Sequence, residues 1–275
     1  MSLLNWFKKE KSDLPESAEA IGIALSGGGA RGFAHIGVLK ALHKHGVEPG
    51  IVSGTSMGSL VGLLYAAGLS LKEIQQLVKR EPVVRMVKMA FGKQGFFEMK
   101  GVRKILEEVI QEDDFSYLKK PFSLSVSNLN TGQREIISSG RLIEYVIASC
   151  SVPVIFAPVI IDGTTYVDGG LFNNLPAESI RERCSFLIGV NVNPVGKVLQ
   201  FDGLREVAER SFSLSIDQNV RVSKELCDLL IEPADIRNYT FWDFDKVDEI
   251  VEVGYHHTMD VLTKGDVMIP SSAMP

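Results

Sequence analysis

Ser56 is the central residue of GTSMG, residues 54–58, with Gly54 and Gly58 two positions to either side. A serine hydroxyl is a weak nucleophile until a neighbouring base takes its proton, and a sharp strand-to-helix turn is one way to expose its Oγ for attack. Flanking glycines suit such a turn, because they remove Cβ atoms that would strike the adjacent backbone. The same pattern also suits a helix N-cap in which Ser56 binds only main chain. A second glycine turn, SGGGARG at 26–32, follows the apolar run IGIAL and leads into GFAHIGVLKAL. Its unpaired N–H groups and the positive end of the following helix would converge on an anion. Gly27, Gly29 and Gly32 satisfy G-x-G-x-x-G, so that anion is either the pyrophosphate of a dinucleotide or the transient oxyanion of an ester under attack.

The dinucleotide alternative needs an acidic residue at the end of the second strand to hold the ribose. Here that strand ends in Ser53, Gly54, Thr55 and Ser56, with Glu48 lying before it. A nucleophile stands where the ribose partner should be. Its base must come from elsewhere. Of five histidines, His35, His43 and His45 precede Ser56, so a Ser, Asp, His chain order requires His256 or His257. Those two lie in VDEIVEVGYHHTMDVL, where helical periodicity gives them a structural place on a helix face. The segment VIIDGTTYVDGGLFNNLP, 159–176, offers two Asp-Gly pairs. Asp162-Gly163, between two strand-like pieces, reads as a hairpin turn. Asp168 ends the second piece and precedes Gly169 and Gly170, which places a carboxylate at a strand end and makes it the candidate base.

The elements that must position these residues alternate. Periodicity predicts a strand over 21–25, a helix from about 33 to 45, a strand over 51–53, a helix over 57–67 and further helical segments to about residue 110. This βαβα order predicts a parallel sheet covered by helices, with both glycine turns at the same sheet edge. Strands are expected at 122–129, 134–138, 185–192 and 228–233, and helices at 141–150, 203–227 and 245–263.

Composition narrows the function classes. The 275 residues are 45% hydrophobic and 23% charged, with a net charge of −5, which argues against a general nucleic-acid binder. Cys150, Cys184 and Cys227 are widely spaced and form neither a disulfide framework nor a zinc knuckle. The opening MSLLNWFKKEK lacks the apolar core of a signal peptide, which sets the expectation of a cytoplasmic protein. The apolar run at 145–161 contains Pro153 and Pro158 and reads as buried elements rather than a membrane span. Residues 1–19 read as a flexible leader, 20–265 as one catalytic domain and 266–275 as a tail.

In their order along the chain, SGGGARG, GTSMG and DGG resemble the patatin-like phospholipases, in their bacterial form. The similarity extends to GFAHIGVLKAL, ASCSVPVIFAPV and DGGLFNNLP, and covers about residues 20–195. The resemblance implies a three-layer α/β/α fold with a mainly parallel central sheet. It further implies hydrolysis of fatty-acyl esters in phospholipids or related lipids, through an acyl-enzyme and without metal or other cofactor. Carried onto this sequence it implies a dyad of Ser56 as nucleophile and Asp168 as proton acceptor, with no catalytic histidine. The amides of Gly28 and Gly29, together with Arg31, would form the oxyanion hole. Gly27, Gly32, Gly54, Gly58, Gly169 and Gly170 are its motif glycines. Arg31 would stabilise the oxyanion or an anionic head group, or serve only as a structural partner of its loop. The rival expectations are a member of this fold that binds lipid or protein without catalysis, and a Ser-Asp-His hydrolase.

One further stretch points to a lipid surface. Residues 79–104 carry eight lysines and arginines against Glu81 and Glu98, a local charge of +6 in a chain of −5. Met86, Met89, Phe91, Phe96 and Phe97 lie among them, the mixture expected of an interfacial element meeting anionic lipid, or equally of a helix whose apolar side packs on the core.

Overall fold

A computed structural model describes residues 20–79, 99–197, 200–201, 203–264 and 269–270. The expected leader, most of the expected tail and the middle of the basic stretch at 79–104 lie outside the described residues.

The strands are β1 (Ile21–Leu25), β2 (Ile51–Gly54), β3 (Phe122–Asn128), β4 (Gln133–Ile137), β5 (Val159–Ile161), β6 (Thr164–Asp168), β7 (Phe186–Val190) and β8 (Leu229–Ile231). The helices are α1 (Ala34–Lys44), α2 (Met57–Ala66), α3 (Leu71–Val78), α4 (Lys100–Val109), α5 (Leu142–Ser149), α6 (Leu204–Glu225) and α7 (Val247–Thr263). One sheet takes the order β5-β6-β3-β2-β1-β7-β8, with β4 also paired to β3. From β3 to β8 the pairs are parallel, as the βαβ order requires, whereas β4, β5 and β6 join as antiparallel hairpin strands. The sheet is therefore mainly parallel at its centre, with helices on both sides. Asp162 and Gly163 make the expected hairpin turn between β5 and β6, with φ of 49° and 79°.

Alternation along the strands sends side chains to two cores. Ile21, Ile23 and Leu25 of β1 pack with Val52, Ile188 and Val190 beneath α1, α2 and α7. Ala24, Ile51 and Leu187 point the other way, onto Leu175, Ile180 and the Ile216–Val220 face of α6. Every residue of α2, MGSLVGLLYA, is buried, which is why that helix is apolar nearly all round.

The arrangement around β3 brings the two halves of the site together. Residues Leu124–Asn128 of β3 pair with β4. A strand has two edges, so β2 and β6 share the other one: Gly54 lies opposite Leu124 and Asp168 opposite Val126. Because β2 runs with β3 and β6 runs against it, their C-terminal ends meet head to head.

Candidate active site

Ser56 sits between β2 and α2 with φ 53° and ψ −126°. That conformation is unfavourable for a residue with a Cβ and stores roughly 1–3 kcal/mol. The surroundings hold it. Its N–H donates to Ser149 Oγ at 2.9 Å, and that hydroxyl donates to the Ser125 carbonyl at 2.8 Å. Its carbonyl accepts from Ser59 Oγ at 2.6 Å. The turn is tight enough that a Cβ on Gly54 would lie 2.4 Å from the Gly58 carbonyl oxygen, and one on Gly58 would lie 2.3 Å from that of Leu25. Both flanking glycines are therefore steric requirements of the elbow. The capping alternative finds no support, since the Ser56 side chain makes no cap bond to its helix.

Ser56 Oγ instead donates to Asp168 Oδ2 at 2.6 Å. Asp168 ends β6 and is 3% exposed. Its other oxygen accepts from the Gly170 N–H at 2.7 Å. Burial pushes its pKa up to about 6, against the opposing pull of the bonds from Ser56 and Gly170. A Cβ on Gly169 would lie 2.2 Å from the Ser125 carbonyl oxygen, so that position fits only without a side chain, while Gly170 lies close to the Asn174 side chain. Asp162, by contrast, is exposed and pairs with Arg141 at 2.5 Å, away from Ser56.

The first glycine turn lies alongside. Gly27 is pinned from behind, its N–H donating to the Asn174 carbonyl and its carbonyl accepting from Asn193 Nδ2 at 2.6 Å. Gly29 has φ 55°, and a Cβ there would lie 2.6 Å from the Phe241 carbonyl oxygen. The amides of Gly28, Gly29 and Met57 find no protein acceptor among the described residues, although the neighbouring Gly27 and Ala30 amides do. The helix expected from about residue 33 begins at Ala34, and Gly29–Phe33 winds before it as a 3-10 helix that sets Gly32 against Met57. The side chain of Arg31 turns away from Ser56. Its Nε donates to the Tyr239 carbonyl at 2.7 Å and its guanidinium stacks on the Phe241 ring at 4.6 Å. The backbone N–H of Arg31 is bonded to the Gly28 carbonyl.

Ser56, Asp168, Gly28 and Gly29 open together into a largely apolar cavity of about 510 Å³, walled by side chains such as Leu60, Val102, Phe156 and Phe244. Its size falls within the range of sites that enclose a small organic ligand. No histidine lines it among the described residues. His35 is buried behind the glycine turn, where its Nε2 meets the Ser26 carbonyl at 2.8 Å, and burial lowers its pKa to about 4. His256 pairs with Glu252 on the surface of α7, and burial lowers the pKa of its neighbour His257. A hydroxyl bonded to a carboxylate, with unpaired amides beside it and an apolar cavity in front, has the parts needed to attack an apolar ester.

A family model for patatin-like phospholipases matches residues 23–180, more than half of the chain. The chain belongs to the patatin-like phospholipase family. The match contains both glycine turns, Ser56 and Asp168. Among curated family relatives, lysophospholipase NTE1 of Kluyveromyces lactis is 29% identical over 90% of the chain, which covers 19% of that protein. Human patatin-like phospholipase domain-containing protein 6 is 27% identical over 88% of the chain and 20% of its own length. The chain thus spans about one fifth of the length of these relatives. Among solved structures, VipD from Legionella pneumophila aligns over 90% of the chain and 67% of its own, with a TM-score of 0.49 and 16% identity.

Sequence reasoning missed Ser149, Asn174, Asn193 and the Met57 amide. Ser149 and Asn174 lie within the family-like segments ASCSVPVIFAPV and DGGLFNNLP, and a small polar residue inside an apolar run is a signal that something buried needs a partner. Asn193 follows β7 with no local signal at all.

Proposed function

We propose that this chain is a serine acyl hydrolase that cleaves fatty-acyl esters of phospholipids or lysophospholipids through a Ser56–Asp168 dyad. The observation that carries the reading is the 2.6 Å bond from Ser56 Oγ to Asp168 Oδ2 at the floor of an apolar cavity, beside the unpaired Gly28 and Gly29 amides.

In this reading, the acyl chain fills the cavity and its ester carbonyl lies over the glycine turn. Ser56 Oγ forms a bond to the carbonyl carbon while its proton passes to Asp168 Oδ2. The oxyanion is met by N–H groups that need no reorganisation, which is where most of the acceleration arises. Collapse breaks the ester C–O bond, Asp168 returns the proton to the departing alcohol, and Ser56 is left acylated. A water then repeats the sequence with Asp168 as base, which releases the fatty acid and restores the hydroxyl. The raised pKa of Asp168 makes it a better proton acceptor than an ordinary carboxylate while leaving it ionised at neutral pH.

The names of the curated relatives, lysophospholipase among them, support a lipid ester as substrate. No helix among the described residues is long and apolar enough to cross a membrane. We place the protein in the cytoplasm, meeting its substrate at a lipid surface, with the basic stretch at 79–104 as the contact. The test is reaction with an alkyl fluorophosphonate probe. Labelling of the wild type that disappears in Ser56→Ala supports the hydrolase, and absence of labelling in folded protein supports a binding protein instead.

A further inference from the structure

A second cavity, of about 460 Å³, adjoins the glycine turn at Arg31. It is lined by Arg31, Lys197, Arg210 and Arg237, and by no carboxylate among the described residues. Four cations around one hollow are unexpected in a chain of net charge −5. Lys197, Arg210 and Arg237 have no carboxylate within ion-pair distance among the described residues. The arginines are held by neutral carbonyls: Arg210 Nη2 donates to Gly196 O at 2.7 Å, and Arg237 Nε to Ala234 O at 3.0 Å. Such bonds fix a guanidinium without cancelling its charge, and each spends one of five N–H donors. The rest suit the oxygens of a phosphate.

An independent feature lies in the same wall. Asn193 is 2% exposed, its Nδ2 is committed to the Gly27 carbonyl, and its Oδ1 has no hydrogen-bond partner. A buried acceptor without a donor is costly, so a ligand hydroxyl beside the anion would be favoured there. A phosphate ester of a polyol supplies both groups.

The glycine turn contributes to both cavities, Gly28 and Gly29 to the first and Arg31 to the second. Gly28 faces the Ser56 cavity, its carbonyl accepts from the Arg31 N–H at 3.2 Å, and Phe241 walls both spaces. In a glycerolipid the acyl ester and the phosphate are joined through the glycerol carbons. In the subsite inferred below, a substrate whose carbonyl meets the Gly28 and Gly29 amides would extend its glycerol end past Phe241 toward Arg31.

We infer that the cavity framed by Arg31, Lys197, Arg210 and Arg237 is a head-group subsite that takes the phosphate of a phosphorylated acylglycerol and so selects such esters over neutral ones. This rests on the acyl-hydrolase reading, and its test separates the two. Kinetics are measured on a monoacylglycerol phosphate and on the neutral monoacylglycerol of the same chain length, both kept below the concentration at which they form micelles. In the double variant Arg210→Gln with Arg237→Gln, the ratio of kcat/KM for phosphate over neutral substrate should fall at least about 10-fold, chiefly through KM. Lys197→Gln, an exposed change, should lower the same ratio in the same direction. A ratio unmoved in both overturns the subsite. If neither ester is hydrolysed by the wild type, the acyl-hydrolase reading has failed, and calorimetry on Ser56→Ala still decides the subsite. Glycerol 3-phosphate should bind, and bind more weakly once the two arginines are changed. Failure to bind, or binding indifferent to the arginines, overturns it, as does inorganic phosphate binding as tightly as the glycerol ester, which would mark a general anion site.

Discussion

Gly54 and Asp168 lie two residues apart along one edge of β3, opposite Leu124 and Val126, although β2 and β6 approach that edge from opposite directions. The elbow that follows Gly54 therefore has to turn Ser56 toward the end of β6. Residues 112 positions apart in sequence meet at 2.6 Å because two strands end at the same point on a third.

A first prediction follows for the base. Asp168→Asn should reduce kcat/KM at least about 10²-fold, the usual cost of losing a general base. In the wild type kcat/KM should rise with pH through an apparent pKa of about 6, since Asp168 accepts a proton only when ionised and its pKa is raised to that value. Asp162→Asn, and His256 and His257 changed together to Gln, should keep most activity. An inactive but folded histidine double variant would contradict the dyad and favour a histidine triad.

Stability should carry the same carboxylate in its pH dependence. The native pKa of Asp168 is raised from 3.8 to about 6, so its contribution is fully present below 3.8 and is lost as pH rises through 6. His35 acts oppositely: its native pKa is lowered from 6.5 to about 4, so its contribution is complete above 6.5 and lost as pH falls through 4. The two nearly offset each other within one window. Asp168→Asn removes one side. Urea unfolding at pH 7 and pH 4 should show the wild type gaining on the variant by on the order of 3 kcal/mol as pH falls. A difference independent of pH would contradict this.

The strained elbow makes a third prediction. Ser56→Ala and Ser56→Gly both delete the hydroxyl, but only glycine tolerates φ 53° without strain. The glycine variant should be more stable than the alanine variant by about 1 kcal/mol, read as a higher Tm. Equal melting temperatures would show that the surroundings relax the turn.

Much of this was legible in the chain because the chemistry is local where the glycines are. The G-x-S-x-G spacing identifies a turn in which a Cβ on Gly54 would come within 2.4 Å of the Gly58 carbonyl oxygen, and Asp168 was separable from Asp162 by what followed each. The strand and helix order also followed from periodicity, since β1, β7 and β8 are short apolar runs and β3 alternates apolar residues with serine. What the sequence concealed is non-local. The sharing of one β3 edge by β2 and β6 is a matter of register, and no pattern in either strand encodes it. Arg31 illustrates the same limit: its place in the glycine motif left the oxyanion, an anionic head group and a structural partner all open, and its contacts with Tyr239 and Phe241, more than 200 residues away, set its guanidinium in the wall of the second cavity.

The central claim is that an acyl group passes through Ser56. It is tested most directly by mixing the enzyme with a long-chain acyl ester, quenching in acid during turnover, and locating the acyl mass by peptide mass spectrometry. The account predicts a fatty-acyl adduct on the peptide containing Ser56 and none in Ser56→Ala. Turnover with no acylated Ser56, or with the acyl group on another residue, would contradict it.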